Sequence, residues 1–117
     1  MRDREYHYHS VEDGWKELVK PLVDYVLDNG GAVVQVKEKF GGLRFYYDPP
    51  SERTEEEDKL WQEFDQRVRE AESKSYSICE FTGKSGRPRT TSRWGWIKTV
   101  SDEVAEREGY DRDVDII

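Results

Sequence analysis

The chain has 117 residues, a net charge of −7, 38% charged and 34% hydrophobic residues, and 13% aromatics. That length suits one domain, since one core serves ~100–200 residues. So polar a chain folds only around its four Trp, seven Tyr and four Phe, each able to bury roughly 150–250 Å². The single cysteine excludes an intramolecular disulfide, and no apolar run is long enough to span a membrane. The first residues, "MRDREYHYHS", carry charge and no apolar stretch, so no signal peptide is expected, and the setting read from the sequence is the reducing cytosol.

Residues 1–10 read as a solvated N-terminal arm, although His7 and His9 offer two imidazoles on one side of an extended segment. Ser10 with Asp13 three residues on approximates a capping box. Trp15, Leu18, Val19, Leu22 and Val26 then recur at helical spacing until Gly30-Gly31. Pro21 removes a backbone donor inside this span, which predicts a kink or a break into two short helices.

Ala32, Val34 and Val36 alternate with Val33, Gln35 and Lys37, and Leu43, Phe45 and Tyr47 alternate with Arg44 and Tyr46. These are two half-buried strands, with Gly41-Gly42 as a two-residue turn in which both positions take positive φ. Thr54 and Glu57 stand at capping-box spacing before a helix over about 55–74, whose stripe is Leu60, Trp61, Phe64, Val68 and Ala71. Beyond it lie a short apolar piece at 76–81, the loop "TGKSGRPRTTS", an aromatic strand "RWGWIKTV" and a short helix capped by Ser101 or Asp102. An acidic tail, 111–117, is expected to be ordered at its end if Ile116 and Ile117 find a groove.

Charge is uneven. Residues 81–101 hold Lys84, Arg87, Arg89, Arg93 and Lys98 and no acid, so this stretch carries +5 and the remainder −12. An acidic body argues against indiscriminate adhesion to DNA, while the loop with Trp94 and Trp96 offers a nucleic-acid patch, arginines on phosphates and an indole on a base. Alternation puts both tryptophans on one face, with at least one directed to the core. Lys37, Lys39, Arg44 and Tyr46 of the hairpin form a second candidate recognition face, or the wet face of a two-layer sheet.

No catalytic constellation emerges. Glu55, Glu56, Glu57, Asp58, Glu63, Asp65, Glu70 and Glu72 read as a solvated helix face, no Ser-His-Asp set exists, and Cys79 has no histidine partner in sequence. "EKFGG" resembles a phosphate loop, yet no helix follows and no Gly-Lys-Ser/Thr appears. The expectation is a non-enzyme without cofactor.

Taken together, Gly14-Trp15, the run Gln35–Tyr47, Ala71-Glu72 with Ser75, Cys79-Glu80, Gly83, Gly86, Arg89, Gly95-Trp96-Ile97, Thr99 and Asp102 resemble a family of small uncharacterised bacteriophage and prophage proteins. The likeness covers about residues 14–105, and the hairpin is its specific part. In the family's pattern a Cys-x-x-Cys and a Cys-x-x-His look like four zinc ligands on two knuckles. The matching positions here are Cys79, Thr82, Ser101 and Val104, which cannot hold zinc.

The resemblance therefore implies a zinc-ribbon-like module over 76–105 with its metal lost, in which Cys79 is a buried small hydrophobe and Trp94 and Trp96 supply the missing packing. The whole reading is one α+β domain, 1–117: a small antiparallel sheet, the hairpin extended by one or two C-terminal strands, on two or three helices. Function is expected to be binding of a host protein or protein–nucleic acid complex by a phage or mobile-element accessory protein, such as an anti-CRISPR. Alternatives are a nucleic-acid-binding ribbon and a toxin immunity protein. The sites offered are Lys84, Arg87, Arg89, Arg93, Trp94, Lys37, Lys39 and Arg44. Oligomeric state is left open.

Overall fold

A computed structural model of the chain describes residues 3–92 and 95–115. The elements run α1 (Arg4–Tyr8), a 3-10 turn (Asp13–Trp15), α2 (Lys16–Asp28), β1 (Ala32–Lys39), β2 (Gly42–Asp48) and α3 (Glu55–Ser75). Then follow β3 (Arg87–Thr90), β4 (Ile97–Val100), α4 (Asp102–Glu108) and β5 (Arg112–Asp113). The class is α+β as expected, but in two antiparallel sheets: the hairpin β1-β2 stands by itself, and the C-terminal strands form their own sheet in the order β4-β3-β5. Among the described residues no helix is long and apolar enough to cross a membrane.

The main core joins α2, α3 and the inner face of the hairpin. Trp15, Val19, Val23, Val26, Leu43 and Phe64 are its most deeply buried members. At its centre Tyr25 stacks on Phe64 at 4.4 Å and meets Trp61 edge-on at 5.2 Å, an arrangement that satisfies ring quadrupoles as well as area. A second, small cluster of Cys79, Val100, Val104 and Ala105 holds the C-terminal module. The α3 capping box forms in both directions, Glu57 N to Thr54 Oγ1 and Thr54 N to Glu57 Oε1, which fixes the start of the helix where the sequence put it.

Four local expectations are corrected. Residues 4–8 are a helix, not a solvated arm: Asp3 accepts from Tyr6 N, His7 is buried, and Arg4 bonds Asp24 and Asp28 while Tyr8 donates to Asp24. Ser10 does not cap the next helix; its hydroxyl donates to Tyr6 O at 2.9 Å and closes α1. Helix α2 runs through Pro21 unbroken, one and a half turns from its start, so the ring removes a single backbone bond near the end where such bonds are fewest. Strand β1 bulges between Val33 and Gln35, so Val33 and Val36, not Val34 and Val36, share the inward side, and Val34 is 59% exposed.

The hairpin turn is also one residue earlier than Gly41-Gly42. Lys39 pairs with Gly42, and the two turn residues are Phe40 at φ 53° and Gly41 at φ 86°. Gly42 is glycine for another reason: a Cβ there would collide with the Tyr76 ring. The left-handed conformation costs a non-glycine residue about 1–2 kcal/mol, and Phe40 is 62% exposed, so packing does not repay it. Phe40→Asn is therefore expected to stabilise the fold by about 0.5–1 kcal/mol in urea unfolding. A loss of stability would mean that the ring serves the fold itself.

Candidate functional site: the outer face of the hairpin

The C-terminal module is built on a knuckle at 79–83. Gly83 N donates to Cys79 O at 2.9 Å, Cys79 N to Lys84 O at 2.7 Å and Glu80 N to Thr99 O at 3.0 Å. The Cys79 sulfur is fully buried, which raises its pKa. Donors oppose that effect and win: the Thr82 hydroxyl and the N–H groups of Ser101, Thr82 and Phe81 hold the thiol below its ordinary value. Cys79 is thus buried as expected, in the small apolar cluster with Val100, Val104 and Ala105. Ser101 Oγ accepts from Val104 N, and Val104 packs in the same cluster as Cys79. Among the described residues no three His, Cys, Asp or Glu side chains gather to hold a metal.

What locks this knuckle to the body is the Gly14-Trp15 pair. Gly14 N donates to Glu80 O at 2.7 Å, and a Cβ on Gly14 would run into Cys79 O, Gly83 N and Glu80 O. The Trp15 indole donates to Ile78 O at 2.8 Å. Ala71-Glu72 with Ser75 is a second joint: Ser75 Oγ accepts from Leu43 N and Glu72 Oε2 from Phe45 N, both at 2.9 Å, closing the free edge of β2 against α3. Thr99 Oγ1 ties β4 to Gly41 O at 2.7 Å. The residues that carry the phage-family resemblance are therefore mostly joints of the scaffold.

The hairpin and the module also meet through charge. Lys98 Nζ lies 2.6 Å from Glu38 Oε1 and 3.2 Å from Glu80 Oε1. Burial pushes the Glu80 carboxyl above its usual range, and Lys98 only partly offsets this. A carboxyl whose folded pKa is raised favours the folded state below its unfolded pKa, and that contribution is lost as pH rises through the folded pKa. Glu80→Gln, which leaves Lys98 with Glu38, is expected to keep or raise stability at neutral pH by no more than about 1 kcal/mol, and to lose that advantage in acid. Urea unfolding of both proteins from acid to neutral pH checks the sign.

The basic loop is spent internally. Arg89 is buried and bonds Asp102 and Val100 O, with Asp113 at 3.5 Å; Arg87 meets Asp113 at 3.1 Å; Lys84 lies 3.9 Å from Glu103. The Arg89 guanidinium holds Asp102 below the usual carboxylate range. These acids come from α4 and β5, so Lys84, Arg87 and Arg89 are paired with acids that follow them in the chain. Of the two indoles, at least one of which was expected in the core, Trp96 is 66% exposed. Arg93, Trp94, Ile116 and Ile117 lie outside the described residues.

The hairpin is different. Arg44 pairs with Lys37, Tyr46 with Gln35 and Gly42 with Lys39, so these side chains stand on the face opposite Leu43, Phe45 and Tyr47. Among the described residues none of Lys37, Lys39 and Arg44 has a carboxylate at ion-pair distance. Val34, Phe40 and Tyr46, the last 45% exposed, are the hairpin's share of the six large hydrophobics exposed among the described residues. Lys37 Nζ sits 5.8 Å from the centre of the Tyr46 ring and Lys39 Nζ 5.7 Å from that of Phe40. Alternation in β2 made this face legible; Phe40 was missed because the turn was placed one residue late. Compared with known proteins, the chain matches no family model, no curated protein and no solved structure.

Proposed function

We propose that the chain is a non-catalytic accessory protein of phage or mobile-element origin, acting in the host cytosol by binding another protein through the outer face of its hairpin. The observation that carries this reading is the union on one small face of Phe40, Tyr46 and Val34 with Lys37, Lys39 and Arg44. Aromatic anchors and an arginine surrounded by polar groups are the composition of interface hot spots. Phe40 supports it further, since an exposed ring in a costly backbone conformation is selected by something other than folding.

Three hairpin cations on a −7 chain favour a protein over nucleic acid as the partner, and Arg87 and Arg89 of the loop are engaged with Asp113 and Asp102. Two of the residues on which a nucleic-acid ribbon would rest, Arg87 and Arg89, are thus already paired with acids of the chain. Inhibition of a host defence nuclease, in the manner of an anti-CRISPR, is the form the phage resemblance favours.

The test is affinity capture from lysate of a bacterial host carrying defence systems. Wild type is expected to retain a defined partner, and Phe40→Ser/Arg44→Glu to weaken its hold at least about 30-fold, the scale of one or two hot spots. Equal retention by the double variant, or a DNA or RNA mobility shift that falls steeply with salt, would overturn the reading.

A further inference from the structure

The outer face of the hairpin holds a charge arrangement that the fold does not satisfy. Lys37 and Arg44 are direct register partners on that face. Side chains so placed have Cβ atoms about 4.5–5.5 Å apart, and two like charges at this spacing destabilise a sheet. Lys39 stands two residues along the same face, about 7 Å further on. Glu38, between the two lysines in sequence, points to the other side and is engaged there. Its Oε2 accepts from Gly41 N at 2.9 Å, and its Oε1 meets Lys98 Nζ at 2.6 Å. Asp48, the next acid along β2, is four residues from Arg44, roughly 13–14 Å along the strand.

Elsewhere the chain, with 26 acids to 19 lysines and arginines, pairs its cations readily. Arg4, Arg53, Arg69 and Arg87 each lie 3.0–3.1 Å from a carboxylate. The hairpin lysines lie against rings instead, Lys37 beside Tyr46 and Lys39 beside Phe40. A ring holds a cation in place without cancelling its charge. The face therefore keeps three positive charges interleaved with exposed aromatic groups.

We propose that this face takes an acidic segment of the partner protein, with one carboxylate set between Lys37 and Arg44, a second at Lys39, and an apolar side chain against the exposed rings. This inference rests on the protein-binding reading above and names the chemistry of the partner. A carboxylate between the two cations turns their mutual repulsion into a shared attraction, and the planar fork of Arg44 suits it. Sparse carboxylates among apolar groups match three cations among rings. Nucleic acid fits less well, because its charges are uniform and close-set and the −7 chain repels them. A second copy set face to face presents the same cations and is repelled.

The probe is a short synthetic peptide repeating Glu-Leu-Asp-Gly, blocked at both ends and titrated into the isotope-labelled full chain. Expected are saturable amide shifts at Lys37, Lys39, Phe40, Arg44 and Tyr46. Binding is expected to weaken at least about tenfold in high salt, on Arg44→Gln, or when Gln and Asn replace the acids of the peptide. Lys37→Glu replaces the repelling pair by an attracting one, and is expected to raise the urea midpoint by roughly 0.2–0.5 M while abolishing the shifts. A lowered midpoint would mean that the fold itself uses Lys37, and overturns the proposal. Absent shifts, shifts on another face, or equal binding of the uncharged peptide do the same. Tighter binding of a short DNA duplex at these amides assigns the face to nucleic acid, and concentration-dependent light scattering abolished by Arg44→Gln assigns it to a second copy. Either result overturns the acidic segment. A captured partner that Phe40→Ser/Arg44→Glu loses but Lys37→Gln/Arg44→Gln keeps leaves the protein-binding reading standing and removes this one. Peptide bound at these cations by a chain that captures nothing does the reverse.

Discussion

Trp15→Ala is expected to cost about 3–5 kcal/mol, the range for emptying a buried aromatic site. The indole is fully buried, joins the first helical turn to the main core, and donates to Ile78 O, so its loss leaves a cavity and an unpaired carbonyl together. Against a total of ~5–15 kcal/mol for such a domain, this removes a large share of the stability. With a urea slope of about 2 kcal/mol/M the midpoint falls by about 2 M. Trp15→Phe separates the two contributions: it keeps most of the ring volume and orphans Ile78 O, and is expected to cost about 1–3 kcal/mol. If Trp15→Ala moved the midpoint by less than about half a molar unit, the indole would not be the joint described.

Gly14→Ala should be the second most damaging change, although it adds one methyl group. The obstacle is backbone on three sides, Cys79 O, Glu80 O and Gly83 N, and none of these can swing away as a side-chain tip would. The methyl forces the first helical turn off the knuckle and breaks the bond from Gly14 N to Glu80 O. Overpacking of this kind costs about 1–3 kcal/mol or more. Because strain is confined to the joint, amide exchange is expected to rise first at Cys79, Glu80 and Gly83, before the aromatic centre around Phe64 opens. Uniform acceleration across the chain, or none, would contradict that order.

Much of the scaffold was readable because its signals are local. The capping box of α3 involves neighbours three residues apart, and the apolar alternation of Leu43, Phe45 and Tyr47 needs only the strand period. Misreadings arose where distant residues decide. Two adjacent glycines look like one turn, yet register assigns Gly41 to the turn and the Tyr76 ring claims Gly42. Helix α1 is five residues long and is sustained by Asp24 and Asp28, which lie in α2. Arg87 and Arg89 looked free because Asp113 and Asp102, which pair with them, come later in the chain. At the candidate site the positions of Lys37, Lys39, Arg44 and Tyr46 followed from the sequence, whereas their freedom from acids did not.

These joints share one consequence: the hairpin and the C-terminal knuckle are held together by protein groups alone, with Cys79, Ser101 and Val104 buried in the knuckle. The most direct measurement is urea unfolding of the purified full chain with chelator, with no addition, and with equimolar zinc. Superimposable curves, with midpoints agreeing within error, are predicted, because donors from Thr82, Ser101 and Phe81 already satisfy the one sulfur. A chelator that lowers the midpoint, or zinc that raises it, would contradict a knuckle closed by hydrogen bonds and packing alone.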